Sequence, residues 1–271
     1  MRIFDLFPFF NELDLLELRL AELRPLDPVH GLVELPRTFT DLPKPLHYRE
    51  NIARFRRDDD LIDFHTPAAY PSGPHPTVDW FQRKATAFFL STAYPDDIIM
   101  LSDVDEIPNR DTVQDLIASG LTHPVTLVQD LFYHRVDLKD PGKWLGTVIA
   151  PRHCLGKDPD MQALRENRGQ FPQAPHGGWH FSWLGDEKAI ATKLEAVDIE
   201  RENQIYGSCG IQEPPKGDMA FLQACYEQGE DMFRRGRRKM HVPIEPGTGH
   251  PHEIEAWLAK YPRYAKLAVM P

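Results

Sequence analysis

Four apolar residues, Ile98-Ile99-Met100-Leu101, run directly into Ser102-Asp103-Val104-Asp105. A short, wholly apolar run reads as a buried strand of an α/β sheet, and the acids mark where it emerges into solvent. Side chains alternate along a strand, so Asp103 and Asp105 are expected on one face while Val104 turns back to the core. Two carboxylates so placed repel, and a divalent ion with oxygen ligands, Mn²⁺ or Mg²⁺, would relieve the repulsion and could bridge to a diphosphate. An ordinary acidic turn accounts for the same residues. Pro108 stops the strand, and Asn109 can cap a helix from Arg110 to about Ser119 with Asp111 in its first turn.

The surrounding pattern alternates strands and helices, which predicts a mostly parallel central sheet flanked by helices in a single α/β domain. Strands are expected at Arg2 to Phe7, Gly31 to Leu35, Leu61 to His65, Ile98 to Ser102, Val125 to Tyr133 and Leu145 to Ala150. After the first strand, Asn11 can cap a helix on which Leu13, Leu16, Leu20 and Leu23 recur at three-four-three spacing, with most acids on the other side. Val78 to about Ala93 and Glu187 to Val197 read as helices, Gly178 to Leu184 as extended chain, and 159 to 175 as a loop with some helix. The remainder, from about Ile199, is mixed and Pro-rich and would wrap the core.

At 271 residues the chain can bury a sizeable core. A formal charge of −10 disfavours non-specific binding to nucleic acid. Three cysteines without a C-x-x-C pair, no apolar stretch long enough for a membrane span and a poor signal-peptide pattern lead to the expectation of a cytoplasmic protein.

Ligands of open α/β sheets bind beyond the carboxyl ends of the strands. The polar residues expected there are Asn11 and Glu12, Glu34, Asp103 and Asp105. Glu34 could accept hydrogen bonds from a ribose or a base, or be a solvated acid before Pro36. His180, in Gly177-Gly178-Trp179-His180-Phe181-Ser182-Trp183, could complete a metal site begun by the aspartates or be a hydrogen-bonded structural histidine. Its aromatic neighbours suit a core or a sugar platform. Arg83, and Arg234 in a basic run, could contact phosphate or form surface ion pairs.

Several blocks resemble glycosyltransferase family 17. They are Phe4-Asp5-Leu6-Phe7-Pro8-Phe9-Phe10-Asn11-Glu12 through Leu20, Glu34 with Thr38 and Lys44-Pro45-Leu46, Gln82-Arg83, Ile98 through Pro108, Gly178 through Trp183, and Gly229 through Arg234. The resemblance implies a GT-A-like fold, its nucleotide-binding part about 1–120 and its acceptor side and C-terminal wrap about 121–271, and an inverting, metal-dependent transferase using a UDP-sugar, in first place UDP-N-acetylglucosamine. It further implies that Asp103 and Asp105 hold the ion with His180 as partner, and that Glu12 and Glu34 lie around the nucleotide. The chain starts almost at the catalytic block, without the anchor and stem of the animal enzymes, so a glycan, lipid-linked sugar or small hydroxyl acceptor is expected.

Transfer requires a carboxylate to take the acceptor's proton, and Asp130 or Glu187 is expected to do so, Asp130 first because a strand end holds a base rigidly. Two other classes fit parts of the chain. One is a non-catalytic nucleotide-sugar or glycan-binding module. The other is a metal-dependent phosphatase, either with Asp5 as nucleophile, although that chemistry wants a second acid where Phe7 stands, or with the pair at Asp103, although Ile107 and Pro108 follow where a hydroxyl is expected.

Overall fold

The computed structural model describes residues 1–58, 62–69, 78–196, 217–233 and 239–266. Four strands, β1 (Ile3–Phe9), β2 (Val29–Glu34), β3 (Ile62–His65) and β4 (Ile98–Leu101), lie parallel in the order β3-β2-β1-β4. Their connections carry α1 (Leu13–Leu23), α2 (His47–Glu50) and α3 (Val78–Ala85). The apolar strand interiors are covered by helices on both faces. Phe4, Leu6, Val33, Ile99 and Leu101 pack with Phe89 and Leu90, while Phe7, Phe9 and Leu32 pack with Leu16 and Leu20 of α1.

The sheet continues past β4 as a mixed half. β7 (Arg135–Pro151) runs antiparallel to β4 and to β6 (Val125–Tyr133), and β9 (Gly178–Ser182) lies parallel to β6 and antiparallel to β5 (Glu106–Pro108). The two remaining short strands are β8 (Gln173–Ala174), on β6, and β10 (Met240–His241), on β7. Parallel pairing is thus concentrated where the strand-helix alternation was read. β7 is far longer than the expected strand from Leu145. Pro141-Gly142 sits where the pairing jumps from Asp130↔Lys143 to Phe132↔Lys139, so the missing proline N–H falls at a bulge and breaks no ladder bond.

Two helices differ from expectation for local reasons. The helix begun at Val78 turns 3-10 over Thr86–Thr92, where the Thr86 hydroxyl donates to the Arg83 carbonyl at 2.7 Å and a Thr/Phe/Ser-rich stretch favours no α-helix. Asn11 does not cap α1 with its side chain; its backbone carbonyl takes the Leu13 N–H, and Glu12 stands at the N-cap. By contrast Asn109 does cap α4 (Arg110–Ala118), its side chain accepting the Asp111 N–H at 2.9 Å. Among the described residues no helix is long and apolar enough to cross a membrane.

α1 is covered on nearly every side, because the helix Ile254–Lys260 packs on the face away from the sheet; Leu15 and Leu18 join Trp257, Leu258, Trp179 and Phe181 in one cluster. Its buried polar residues are therefore paired. The Glu22 carboxylate accepts the His252 N–H at 2.7 Å. Arg19, fully buried, donates to Asp5 (2.9 Å), to the Ser102 hydroxyl (2.6 Å) and to the carbonyls of Asp103 (3.1 Å), Val104 (3.3 Å) and Glu106 (2.9 Å). One guanidinium thus holds the backbone of the acidic turn against β1.

Candidate active site

In the order β3-β2-β1-β4 the chain moves outward from β1 and then returns to its other side, so the switch point lies between β1 and β4. Two segments leave the sheet there: Phe10-Asn11-Glu12 after β1 and Ser102 to Asp105 after β4. β4 ends at Leu101, and the acids sit on a turn before β5 rather than on a strand face. Val104 is buried as alternation predicts, but the two acids meet different partners.

Asp103 is gripped by two guanidiniums. Its Oδ1 accepts from Arg83 at 2.8 Å and its Oδ2 from Arg165 at 3.0 Å. Burial works to raise the carboxyl's pKa, yet Arg83 and then Arg165 more than reverse it and hold the group well below the usual carboxylate range. Arg83 also bonds Gln162 at 2.8 Å, so the short helix α5 (Met161–Glu166) fixes both guanidiniums. Beneath them Glu106, fully buried, accepts the Asp103 backbone N–H at 3.0 Å, the Trp144 indole N–H and a hydrogen bond from Arg165.

Asp105 faces the other way. Its Oδ2 pairs with Lys193 Nζ at 3.2 Å, its Oδ1 lies 3.6 Å from His180 Nε2, and Lys193 reaches Glu12 Oε1 at 3.3 Å. Burial again raises the carboxyl's pKa, but Lys193 and His180 bring it down to about 2. Lys193 is shifted upward: burial opposes its charge, and Asp105 and Glu12 together more than offset that. Asp105 and Lys193 border a cleft of about 270 Å³ with Asn11, Glu12, Asp14, Phe181 and Tyr264.

The expected ligand set is thus only partly assembled. Asp105 and His180 come together, while both oxygens of Asp103 are taken by arginines; among the described residues no three His, Cys, Asp or Glu side chains are grouped to hold a metal ion. These residues as arranged do not fit the ion-bridging role expected of the pair.

The other expected residues fall as follows. Arg83 contacts Asp103 and is buried, not a surface ion pair. Glu34 is fully buried and accepts the backbone N–H groups of Tyr48 (3.1 Å) and Arg49 (3.4 Å) at the start of α2, with Lys44 at 3.4 Å. Its expected contact with a ribose or base is replaced by this internal use. Asp130 is half-buried and paired with Lys139 at 2.7 Å and with Lys143; burial raises its pKa, and the hydrogen bonds from the two lysines override this and lower it. Glu187 is in the first turn of α6 (Glu187–Ala196). Neither Asp130 nor Glu187 lines the cleft. Arg234 lies outside the described residues. Trp179 and Phe181 pack in the core, Phe181 at the wall of the cleft, and Asp5 is sealed between Arg19 and His30 (Nδ1 2.8 Å from its Oδ2), which removes it as a phosphatase nucleophile.

Arg165, Lys193, Glu106 and Trp144 carry the site and were not singled out by sequence. Glu106 had a signal, an acid between the buried residues Val104 and Ile107. Arg165 and Lys193 had none, since their partners lie 59 to 181 residues away along the chain.

A mixed α/β sheet with a charged crevice at its switch point marks where such sheets bind ligands and does not by itself name the ligand. The sequence is more specific: residues 1–148 match the family model of glycosyltransferase family 17, and the chain belongs to that family. It is 23% identical over 305 residues to the mouse beta-1,4-mannosyl-glycoprotein 4-beta-N-acetylglucosaminyltransferase, covering 100% of this chain and 55% of that protein. With the human protein of the same name it shares 24% identity over 289 residues, 94% and 52% of the two chains. The chain therefore spans about half the length of these relatives. Among solved structures, a Bacillus anthracis protein described as a glucose-1-phosphate thymidylyltransferase aligns at TM-score 0.41 and 8% identity over 71% of this chain and 95% of that one. A 4-diphosphocytidyl-2C-methyl-D-erythritol synthase aligns at TM-score 0.39 and 11% identity over 65% and 88%.

Proposed function

We propose that this chain transfers a sugar, N-acetylglucosamine in the first instance, from a UDP-sugar to a hydroxyl group by single displacement with inversion. The observation that carries the reading is the meeting of Glu12 with Asp105, through Lys193, at the β1/β4 switch point of a family 17 chain. The names of the mouse and human relatives support the choice of sugar. The acceptor is a glycan, a lipid-linked sugar or a small hydroxyl compound.

The chemistry asks for stabilisation of the negative charge that grows on the departing diphosphate, and fixed cations in a partly water-excluded site supply it without reorganising. Arg83, Arg165 and Lys193 are such cations, each held by a carboxylate. Arg19 fixes the turn that positions those carboxylates. The acceptor oxygen must lose its proton as the new bond forms. Glu12 and Asp14 line the cleft and are placed for that step better than Asp130 or Glu187.

A thermal-shift panel of UDP-, GDP- and dTDP-sugars, followed by mass spectrometry of an oligosaccharide acceptor pool, tests the reading. A ligand that prefers the native state raises its melting temperature by mass action. One UDP-sugar is expected to raise Tm selectively and its sugar to appear on an acceptor. A shift without transfer or donor hydrolysis would instead define a binding module, and no shift with any donor would remove the reading.

A further inference from the structure

A divalent ion bridged by both acids needs carboxylate oxygens that converge on one position, and an ion held by one acid with substrate phosphates and water needs that acid's oxygens open to it. Here each acid already has a cation of the protein. Four carboxylates, Glu12, Asp103, Asp105 and Glu106, meet three cations, Arg83, Arg165 and Lys193, and the two positions a bridging ion would draw on are held apart by different partners. A divalent ion at Asp105 would have to displace the Lys193 ammonium, which lies between Asp105 (3.2 Å) and Glu12 (3.3 Å).

Lys193 is built into that place. On α6, Ile190 and Leu194 turn into the core cluster with Leu222 and Cys225, and the neighbouring face presents Ala189 and Lys193, one turn apart, to the cleft. The side chain is 23% exposed and its ammonium also stands 5.6 Å over the Trp183 ring. An ammonium has three N–H donors. Two are on the carboxylates, and the third remains for a ligand in the cleft.

We infer that Lys193 is a tethered cation that does the work of a divalent ion at this crevice, contacting the diphosphate of the donor while neutralising Asp105 and Glu12. The inference rests on the nucleotide-sugar reading of the cleft. It makes donor binding independent of added metal, and it makes the metal requirement a property of one side chain. Removing the ammonium while keeping the stem leaves Glu12 and Asp105 facing one another, which is a site for a divalent ion.

The test is calorimetry of UDP-N-acetylglucosamine and UDP binding in EDTA and in Mn²⁺, with electron paramagnetic resonance of Mn²⁺, on the wild type, Lys193→Met and Lys193→Arg, each checked for an intact melting transition. The wild type is expected to bind equally in EDTA and Mn²⁺. Lys193→Met should bind at least about tenfold more weakly in EDTA, as for loss of a charged hydrogen bond, and recover with Mn²⁺. Bound Mn²⁺ should appear in the Met variant and not in the wild type, and Lys193→Arg should behave as wild type. Wild-type binding that requires Mn²⁺ and is unchanged or tighter in Lys193→Met overturns the inference and leaves the functional reading standing. Absence of binding by every variant under both conditions overturns both. A purely packing role for Lys193 would weaken binding without Mn²⁺ rescue, and that outcome also overturns it.

Discussion

The parallel half of the sheet and the chain beyond it divide the charges of the crevice unequally: three of its four acids come from the first and two of its three cations from the second. From the parallel half come the acids Glu12, Asp103 and Asp105, on segments that follow β1 and β4 directly, and one cation, Arg83 on α3. From the chain beyond it come the cations Arg165 and Lys193, on α5 and α6, and the acid Glu106, on β5. The acids are placed by local chain direction and Asp103 meets Arg83 within the first half, whereas Arg165 and Lys193 are placed only by completing the fold. The first half therefore offers a site, and the second decides whether that site accepts a metal ion or is already neutralised.

The comparison breaks most visibly at Arg19, which ties the two segments of the first half together. Arg19→Met removes the donors to three carbonyls and leaves Asp5 buried with only His30, so chemical denaturation should show a loss of roughly 3–5 kcal/mol. A loss below about 1 kcal/mol would show that the turn does not depend on it.

A second test uses His134, buried at the turn between β6 and β7 with its pKa lowered to about 4 by burial. A histidine whose folded pKa is depressed stabilises the fold above its unfolded value of 6.5, and the contribution is lost as pH falls toward 4. Stability should fall by about 3 kcal/mol across that window. His134→Gln should flatten the dependence; an unchanged slope would place its origin elsewhere.

Trp144→Phe sharpens the account of the mixed half. It strips one donor from the buried Glu106 and should cost about 1–3 kcal/mol while leaving Arg165 on Asp103. Smallest is Asp130→Asn, which loosens a partly exposed pair with Lys139 and Lys143. It should change stability by less than about 1 kcal/mol and leave transfer intact; abolished transfer would restore Asp130 as the base.

What could be read from the sequence follows the same division. β1, β2, β4, β6 and α4 with its Asn109 cap were visible because each is written in contiguous residues: a buried apolar run, a cap, a breaking proline. The acidic turn was visible for the same reason, and family resemblance gave it a context. The strand through Pro141 was hidden because only pairing with β6 shows that the proline falls at a bulge. Glu34 looked like a ligand-facing acid at a strand end, and its burial against the start of α2 depends on how residues 44 to 49 return over β2. Two of the cations were hidden because nothing near Arg165 or Lys193 in sequence marks them as partners of acids 59 to 181 positions earlier.

The most direct measurement is release of UDP from UDP-N-acetylglucosamine, with and without an acceptor pool, by the wild type and by Asp105→Ala folded to the same melting transition. The account predicts turnover by the wild type and its loss by at least about a hundredfold in the variant, the scale of removing one preorganised charged element. Equal turnover by both proteins would contradict the placement of the transfer site at the β1/β4 crevice.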